Sequence, residues 1–496
     1  MVLGFPFRLF KALSQSRMDS TPHKIRKQLD CLTDYLSPLL PLANCHMVEF
    51  FTDHHWGNLV PSQLRNYLEN LALNEAVEQF WTAATDWKSK DPNTELAKFV
   101  SAARSHCISV DNEICLSVDE FKNRIVKWGG EIQPEVRVKE FMSSKKAYEV
   151  QTMSSLAASL HSGGCSLAVD AGGGRGALPA VLALAHGVRG LTVDCDAVAL
   201  AGGVKRDRLI QKQWHAIAKR VHDNAEVSKD TVKERASLHR YAEAYVTKDT
   251  DLTALVKKSF PEHAGQDIKI LLTGLHTCGD LGPTSLRLFA LRRAEALFNV
   301  PCCYHLLTEP TDGAVWSIFD KGCCDGEMDS GFPMSEHLRG YQLGRNARML
   351  AAQSIDRVAA LRQMPARSLY YRALLQVIIK KHLPSSTVAE GKLKRISSKS
   401  QSFTEYFKSA DAILNLQLYD SLSDSYLTAV IGDYERRWKD LVLFYLLRMC
   451  LAQVVESVIL LDRLLFLYEN GFENVFLVKL FDPVLSPRCH GIVAVR

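Results

Sequence analysis

The sequence predicts an α/β fold. The expected architecture is a Rossmann-like, doubly wound sheet that closes in a C-terminal antiparallel hairpin, with a helical N-terminal region and a large insertion. Three observations predict it. "SLAVDAGGGRGALPAVLALAHG" (166–187) reads as a buried strand, a glycine turn and the helix that the turn opens. "GLTVDCD" (190–196) reads as a second strand, and it ends in Asp194. The chain finishes with a long apolar helix and then "NVFLVKLFDPVLSPRCHGIVAVR" (474–496), two short strands joined by a Pro-containing turn.

Taken in chain order, residues 1–135 form a mostly helical region. "PSQLRNYLENLALNEAVEQFWTAATDW" places Leu64, Leu68, Leu71 and Leu73 near helical spacing and lacks strand alternation. Gly129-Gly130 mark a break. Residues 136–310 hold the first part of the sheet core, in which apolar strands alternate with helical segments. Residues 311–435 read as an irregular insertion. They include the Ser- and Lys-rich stretch "KKHLPSSTVAEGKLKRISSKSQS" (380–402), expected to be a mobile basic loop. Residues 436–496 return to the core with its final helix and hairpin. That helix covers the longest apolar region of the chain, but Arg448, Glu456, Asp462 and Arg463 lie in it and would be costly in lipid. The expectation is a buried core helix and no membrane.

Composition narrows the class. Of 496 residues, 47% are hydrophobic and 23% charged, an ordinary globular balance, and the net charge of +5 permits an anionic substrate without demanding one. The 13 cysteines are scattered and odd in number, which fits a reducing compartment, cytoplasmic or nuclear. The segment "MVLGFPFRLFKALSQSRMDS" has two Arg, one Lys and no acid before Asp19, so it also resembles a short mitochondrial presequence.

The glycine turn carries the functional reading. Glycine permits a tight turn and lets a ligand lie against backbone N–H groups at a helix N-terminus. Asp194 follows the glycines by about 20 residues, where an acid that holds a ribose belongs. Together these features make a nucleoside-binding βαβ unit. The dinucleotide fingerprint G-x-G-x-x-G does not fit, because the glycines fall at 172, 173, 174 and 176. Asp170, two residues before Gly172, would repel a pyrophosphate. It suits the cationic amino-acid end of S-adenosylmethionine, held through water or the backbone. Asp170, Gly172, Gly174, Gly176 and Asp194 are therefore the candidate cofactor residues.

Two further strands are expected at about 268–275, in "DIKILLTGLHTCGDLG", and at about 296–301, in "AEALFNVPCCYHLLTE". In an open parallel sheet ligands bind beyond the carboxyl ends of the strands. His276, Asp280, Tyr304 and His305 fall there and are the candidate catalytic residues. Each also has an ordinary structural reading: Asp280 as a helix cap, His305 as a core histidine. Lys145, Lys146 and Glu149 open a helix before the first strand and either line the cofactor mouth or face solvent. Cys302, Cys303, His305, Cys323 and Cys324 offer zinc-type donors. Adjacent cysteines rarely share one ion, though, and no C-x-x-C pair exists, so they read as buried apolar pairs and no metal is expected.

Eight segments together carry a resemblance: "MSSKKAYEV", "VDAGGGRG", "GLHTCGDL", "PCCYHLLTE", "GFPMS", "NARMLAAQS", "LYYRALLQ" and "LFDPVLSPR". In this order they are similar to the methyltransferase-like protein 25 family, which includes a protein named for a ribosomal RNA adenine dimethylase domain. The likeness spans roughly 140–496 and is weaker around "FFTDHHWGNLVPSQLRNYL". It implies a class I methyltransferase that uses S-adenosylmethionine. It assigns Gly172, Gly174 and Gly176 to the cofactor turn and Asp194 to the second-strand acid. Asn299-Val300-Pro301 depart from the pattern, in which a glycine precedes the paired cysteines. The dimethylase label implies an Asn/Asp-Pro-Pro-aromatic motif after the fourth strand, but "HTCGD" stands there, so adenine N6 is not supported as the methylated atom. RNA is slightly favoured over protein as the macromolecular substrate, because of the mild basicity and the Lys-rich stretch. No oligomeric state is implied. Two rival readings are a catalytically degenerate binding or scaffold protein and a nicotinamide-dependent oxidoreductase. The glycine spacing and the terminal hairpin oppose the second.

Overall fold

The computed structural model describes residues 20–88, 92–111, 113–140, 142–221, 229–263, 265–310, 330–384, 393, 396, 400 and 402–496. The presequence-like segment, Cys323, Cys324 and most of the basic stretch 380–402 lie outside the described residues.

The sheet is built from strands short enough to be set by their immediate sequence. These are β1 (Cys115–Leu116), β2 (Leu167–Ala171), β3 (Gly190–Asp194), β4 (His239–Glu243), β5 (Ile270–Cys278), β6 (Ala296–Cys302), β7 (Asn474–Lys479) and β8 (His490–Val495). Their spatial order is β1-β7-β8-β6-β5-β2-β3-β4. β2 pairs in parallel with β3 on one side and β5 on the other, and β6 continues in parallel beyond β5. β8 is antiparallel to both β6 and β7, which makes the closing hairpin expected from sequence. A parallel sheet ending in one antiparallel strand is the class I methyltransferase arrangement, here with β1 added at the edge beside β7. β2 and β6 are buried along their whole lengths, as mainly apolar strands of a doubly covered parallel sheet should be, with Asp170 and Asn299 as their buried polar residues.

Chain order reverses at β2. The strand after it, β3, lies to one side, and β5 lies to the other. A crevice therefore opens beyond the carboxyl ends of β2 and β5, the place where open α/β sheets bind ligands. Four helices flank it: α1 (Ser144–Ser162), α2 (Ala177–His186), α3 (Ala197–Val221) and α4 (Leu281–Ala290). Ser143 caps α1, its hydroxyl accepting from the Lys146 N–H at 3.3 Å. α2 is apolar on every side because it is buried; it stops at Gly187, whose left-handed backbone closes its carbonyl end.

The described residues divide into two compact units. The sheet unit takes in residues up to Thr33, Ile108–Gln342 and Glu456–Arg496. The other unit, Asp34–Cys107 with Leu343–Val455, is helical. Residues expected to be irregular within 311–435 are instead helices over Arg345–Leu350, Ile355–Ala360, Arg367–His382, Phe403–Leu414 and Asp424–Glu435. Their apolar residues are spaced by threes and fours between polar runs, as at Phe403, Tyr406, Phe407 and Ala410, all buried. Two strands escaped the sequence reading. β4, "HRYAE", is a polar edge strand, and β1 is two residues long.

α5 (Trp438–Glu469) meets the length and composition of a membrane span, yet 89% of its most apolar window is buried inside the protein. Two of its buried charges, Arg448 and Asp462, have hydrogen-bonding partners. Arg448 donates to the carbonyls of Leu42 (3.1 Å), Ala43 (2.9 Å) and Cys45 (3.1 Å). Asp462 accepts from the backbone N–H groups of Met334 and Ser335 and from the Ser335 hydroxyl. A buried charge is tolerable on these terms.

Candidate functional site

The glycine turn follows β2. The N–H groups of Gly172 and Gly173 both donate to the Val193 carbonyl, at 2.8 and 3.3 Å, so the turn is stapled to β3. A Cβ at Gly172 would strike Leu281 at the start of α4. One at Gly173 would lie 2.6 Å from Asp170 Oδ2, and one at Gly176 2.6 Å from Thr192 Oγ1 and 2.9 Å from Tyr241. Packing alone demands those three glycines. Gly174 differs: a Cβ there would meet nothing nearer than Asp194 Oδ2, at 4.0 Å. The turn is bare where it faces open space, and its left-handed backbone (φ 56°) aims that bare face outward.

Asp194 is half-buried at the end of β3. Its Oδ2 accepts from the Gly174 N–H at 2.8 Å and its Oδ1 from the Asp196 N–H at 2.9 Å. A carboxylate has about four lone-pair sites, so capacity for two hydroxyl donors remains. Asp196 has a different task. Its Oδ1 accepts from the N–H groups of Val198 (2.9 Å) and Ala199 (3.0 Å), which makes it the N-cap of α3.

Asp170 lies beneath the turn, only 3% exposed, and accepts from Thr273 Oγ1 at 3.0 Å. Burial pushes its carboxyl up to about 6, against the pull of Thr273 and Lys146. It acts on anything bound above through the turn and through Lys146, since no face of it is open. Lys146, from the first turn of α1, interacts electrostatically with Asp170, Glu149 and Cys302, and burial holds its ammonium below the usual range.

The other half of the crevice is made by β5 and β6. β5 continues past its expected end. The pairing with β6 shifts register between Leu275 and Thr277, and His276, at the bulge, has φ 71°. The irregularity turns the imidazole toward α1, where Nε2 lies 2.8 Å from Glu149 Oε2. Glu149 is 1% exposed and also accepts from Ser486 Oγ at 2.6 Å. Burial alone would raise its carboxyl; the His276 hydrogen bond and charge, with Ser486 and Lys145, bring it down to about 2. A buried carboxylate behind a half-buried imidazole fixes the orientation of the ring.

The remaining candidates do not join His276. Tyr304 is 1% exposed and donates its hydroxyl to Glu456 Oε1 at 2.9 Å, within the core. Asp280 sits at the N-cap position of α4 but does not cap with its side chain. Its Oδ1 accepts from the Thr308 N–H at 2.9 Å, and burial raises its carboxyl. His305 is half-buried in the turn Tyr304–Leu306. The structural role of Asp280 is therefore to hold the Thr308 backbone and not, as its position suggests, to cap α4, and that of Tyr304 is to pair with Glu456.

The structure brings together one group that sequence reasoning did not. Cys278, at the end of β5, lies with its sulfur 3.1 Å from that of Cys302 and 3.4 Å from that of Cys303, which are themselves 3.6 Å apart. Cys302 and Cys303 are thus not an isolated apolar pair. Cys303 is the first of the three to ionise, because the other two thiols hydrogen-bond to its sulfur. Nothing in the sequence signals it, because Cys278 sits opposite Cys302 only after the register shifts between Leu275 and Thr277.

Three comparisons bear on this geometry. A family profile described as a methyltransferase domain matches residues 145–310, the span from α1 through β6 that contains the crevice. The chain is similar to probable methyltransferase-like protein 25 of Mus musculus, at 27% identity over 95% of this chain and 96% of that protein. It is similar to the Homo sapiens protein of the same name at 26% identity, over 95% of this chain and 97% of that one. No solved structure matches.

Proposed function

We propose that this chain, a methyltransferase-like protein 25 relative along nearly its whole length, takes its methyl group from S-adenosylmethionine and places it on RNA. The methyltransferase domain is the premise; donor and acceptor are the proposal. The observation that carries the donor is Gly174, a bare position facing open space between a buried acid at the end of β2 and a half-buried acid at the end of β3. The donor supplies a sulfonium methyl that an in-line nucleophile displaces. Asp194 accepts from both ribose hydroxyls. The turn's backbone, backed by Asp170 and Lys146, receives the amino-acid end. His276, oriented by Glu149, takes the acceptor's proton. Positioning of this kind provides much of the rate.

RNA is put ahead of protein because the chain carries a net charge of +5 and a Lys-rich stretch at 380–399. The cysteines among the described residues are free thiols, in keeping with a cytoplasmic or nuclear setting. The experiment is incubation of the full chain with cell extract and methyl-labelled donor, followed by nuclease or protease. Label released by RNase supports the proposal. Label released only by protease replaces RNA with protein, and no label above that of a Gly174→Val control supports a scaffold instead.

A further inference from the structure

We propose that Cys278, Cys302 and Cys303 bind a zinc ion as three thiolates at the carboxyl ends of β5 and β6, leaving its fourth coordination position open. The proposal does not rest on methyl transfer, since it needs only the three sulfurs.

The argument begins with the backbone. In an extended strand successive side chains point to opposite faces, which is why neighbouring cysteines rarely share an ion. Cys302 is the last residue of β6, and Cys303 leaves the strand in the left-handed region, at φ 51°. That conformation costs a non-glycine residue roughly 1–2 kcal/mol. It breaks the alternation and brings the second thiol to the same side as the first. On β5, Cys278 is followed by Gly279 at φ 53°, where a Cβ would lie 2.8 Å from Leu306 and 2.9 Å from its carbonyl. Two bends, one after each strand, converge three sulfurs contributed by adjacent strands.

The sulfur triangle has edges of 3.1, 3.4 and 3.6 Å. A disulfide is about 2.05 Å, so no pair is bonded. Three thiolates on one tetrahedral zinc, with Zn–S about 2.3 Å, lie about 3.8 Å apart, so a small expansion seats the ion. Neutral thiols are weak donors and acceptors and gain little from such crowding. Basic side chains stand close to the sulfurs: Lys146 acts electrostatically on Cys278, and His305 and Arg488 on Cys303. Solvent reaches the cluster at Cys278, which is exposed, while Cys303 is half-buried and Cys302 buried. Three protein ligands and one accessible position are the pattern of a zinc that receives water or a substrate atom, whereas closed structural sites use four.

The test uses the full chain, reduced, stripped with a chelator and titrated anaerobically with Co²⁺, then with Zn²⁺ in competition. The expected result is a single metal ion per chain, with thiolate-to-cobalt charge-transfer absorption that zinc abolishes. Cys278→Ser and Cys303→Ser should each weaken binding by more than about a hundredfold, beyond what loss of an outer-shell partner costs. Cys195→Ser, an exposed cysteine outside the cluster, should leave binding unchanged. Circular dichroism and melting curves check that each variant is folded, and Cys278 is exposed enough for its replacement to spare the core. Absence of the charge-transfer band in the wild type would overturn the site. So would an equal band in the Cys278→Ser/Cys303→Ser double variant, or a chain that binds no metal and forms a Cys278–Cys302 disulfide under mild oxidation.

Discussion

The two halves of the crevice are assembled in different ways. The half at β2 and β3 takes the hydrogen bonds that hold its turn from one stretch, Asp170 to Asp196, in which Gly172 and Gly173 donate to Val193 and Gly174 to Asp194, while Thr273, Tyr241 and Leu281 pack around it from elsewhere in the chain. The half at β5 and β6 is made by residues far apart in the chain. Glu149 comes from α1, His276 and Cys278 from β5, Cys302 and Cys303 from β6, and Ser486 from the β7–β8 connection. A locally built half can be damaged at one residue without disturbing the rest. In the long-range half, function and stability are carried by the same groups, so their losses should be harder to separate.

The largest expected effect is in the local half. Gly174→Val should remove binding of S-adenosylmethionine while lowering stability only by the roughly 1–2 kcal/mol of a left-handed non-glycine residue. Gly176→Val should do the reverse in kind, failing as a fold, because its side chain runs into Thr192 and Tyr241. Titration calorimetry beside melting curves reads both. If the two variants behave alike, Gly174 is one more packing glycine and the contrast between the halves is lost.

Asp194→Ala should weaken cofactor binding about ten- to a hundredfold, as a net loss of about 1.5–3 kcal/mol of charge-assisted hydrogen bonding implies. Asp196→Ala should leave affinity intact and cost about 1 kcal/mol of stability, the usual price of an N-cap. Exchange of these phenotypes would contradict the placement of the ribose acid.

In the long-range half, Glu149→Gln should cost stability at neutral pH, about 1–3 kcal/mol. The sign follows from the carboxyl's folded value of about 2 against an ordinary 4.5. A depressed acid stabilises above its unfolded value and loses that contribution as pH falls toward its folded one. Wild type and variant should therefore converge in denaturant melts as pH drops below 4.5 toward about 2. A gap that holds constant over that range would mean Glu149 is not ionised against His276.

The same difference explains what the sequence revealed. The strand–turn–helix at 166–187 and the acid at Asp194 are visible because a local motif fixes local geometry. The hairpin is visible because two apolar runs flank a Pro-containing turn. β4 is not visible: "HRYAE" is an edge strand whose inner groups are polar, His239 Nδ1 lying 2.8 Å from Asp207 and Tyr241 donating to it at 2.6 Å. The His276–Glu149 pair spans 127 positions and depends on a bulge that nothing in "GLHTCG" announces. Tyr304 and Asp280 stand at the right strand ends, but Glu456 and the Thr308 N–H claim them.

The proposed ligand of the glycine turn is S-adenosylmethionine and not a nicotinamide dinucleotide. Titration calorimetry of the full chain with each tests it most directly. The expected result is saturable binding of S-adenosylmethionine and of its demethylated product, with NAD weak or undetectable. Tight binding of NAD with none of the methyl donor would contradict it.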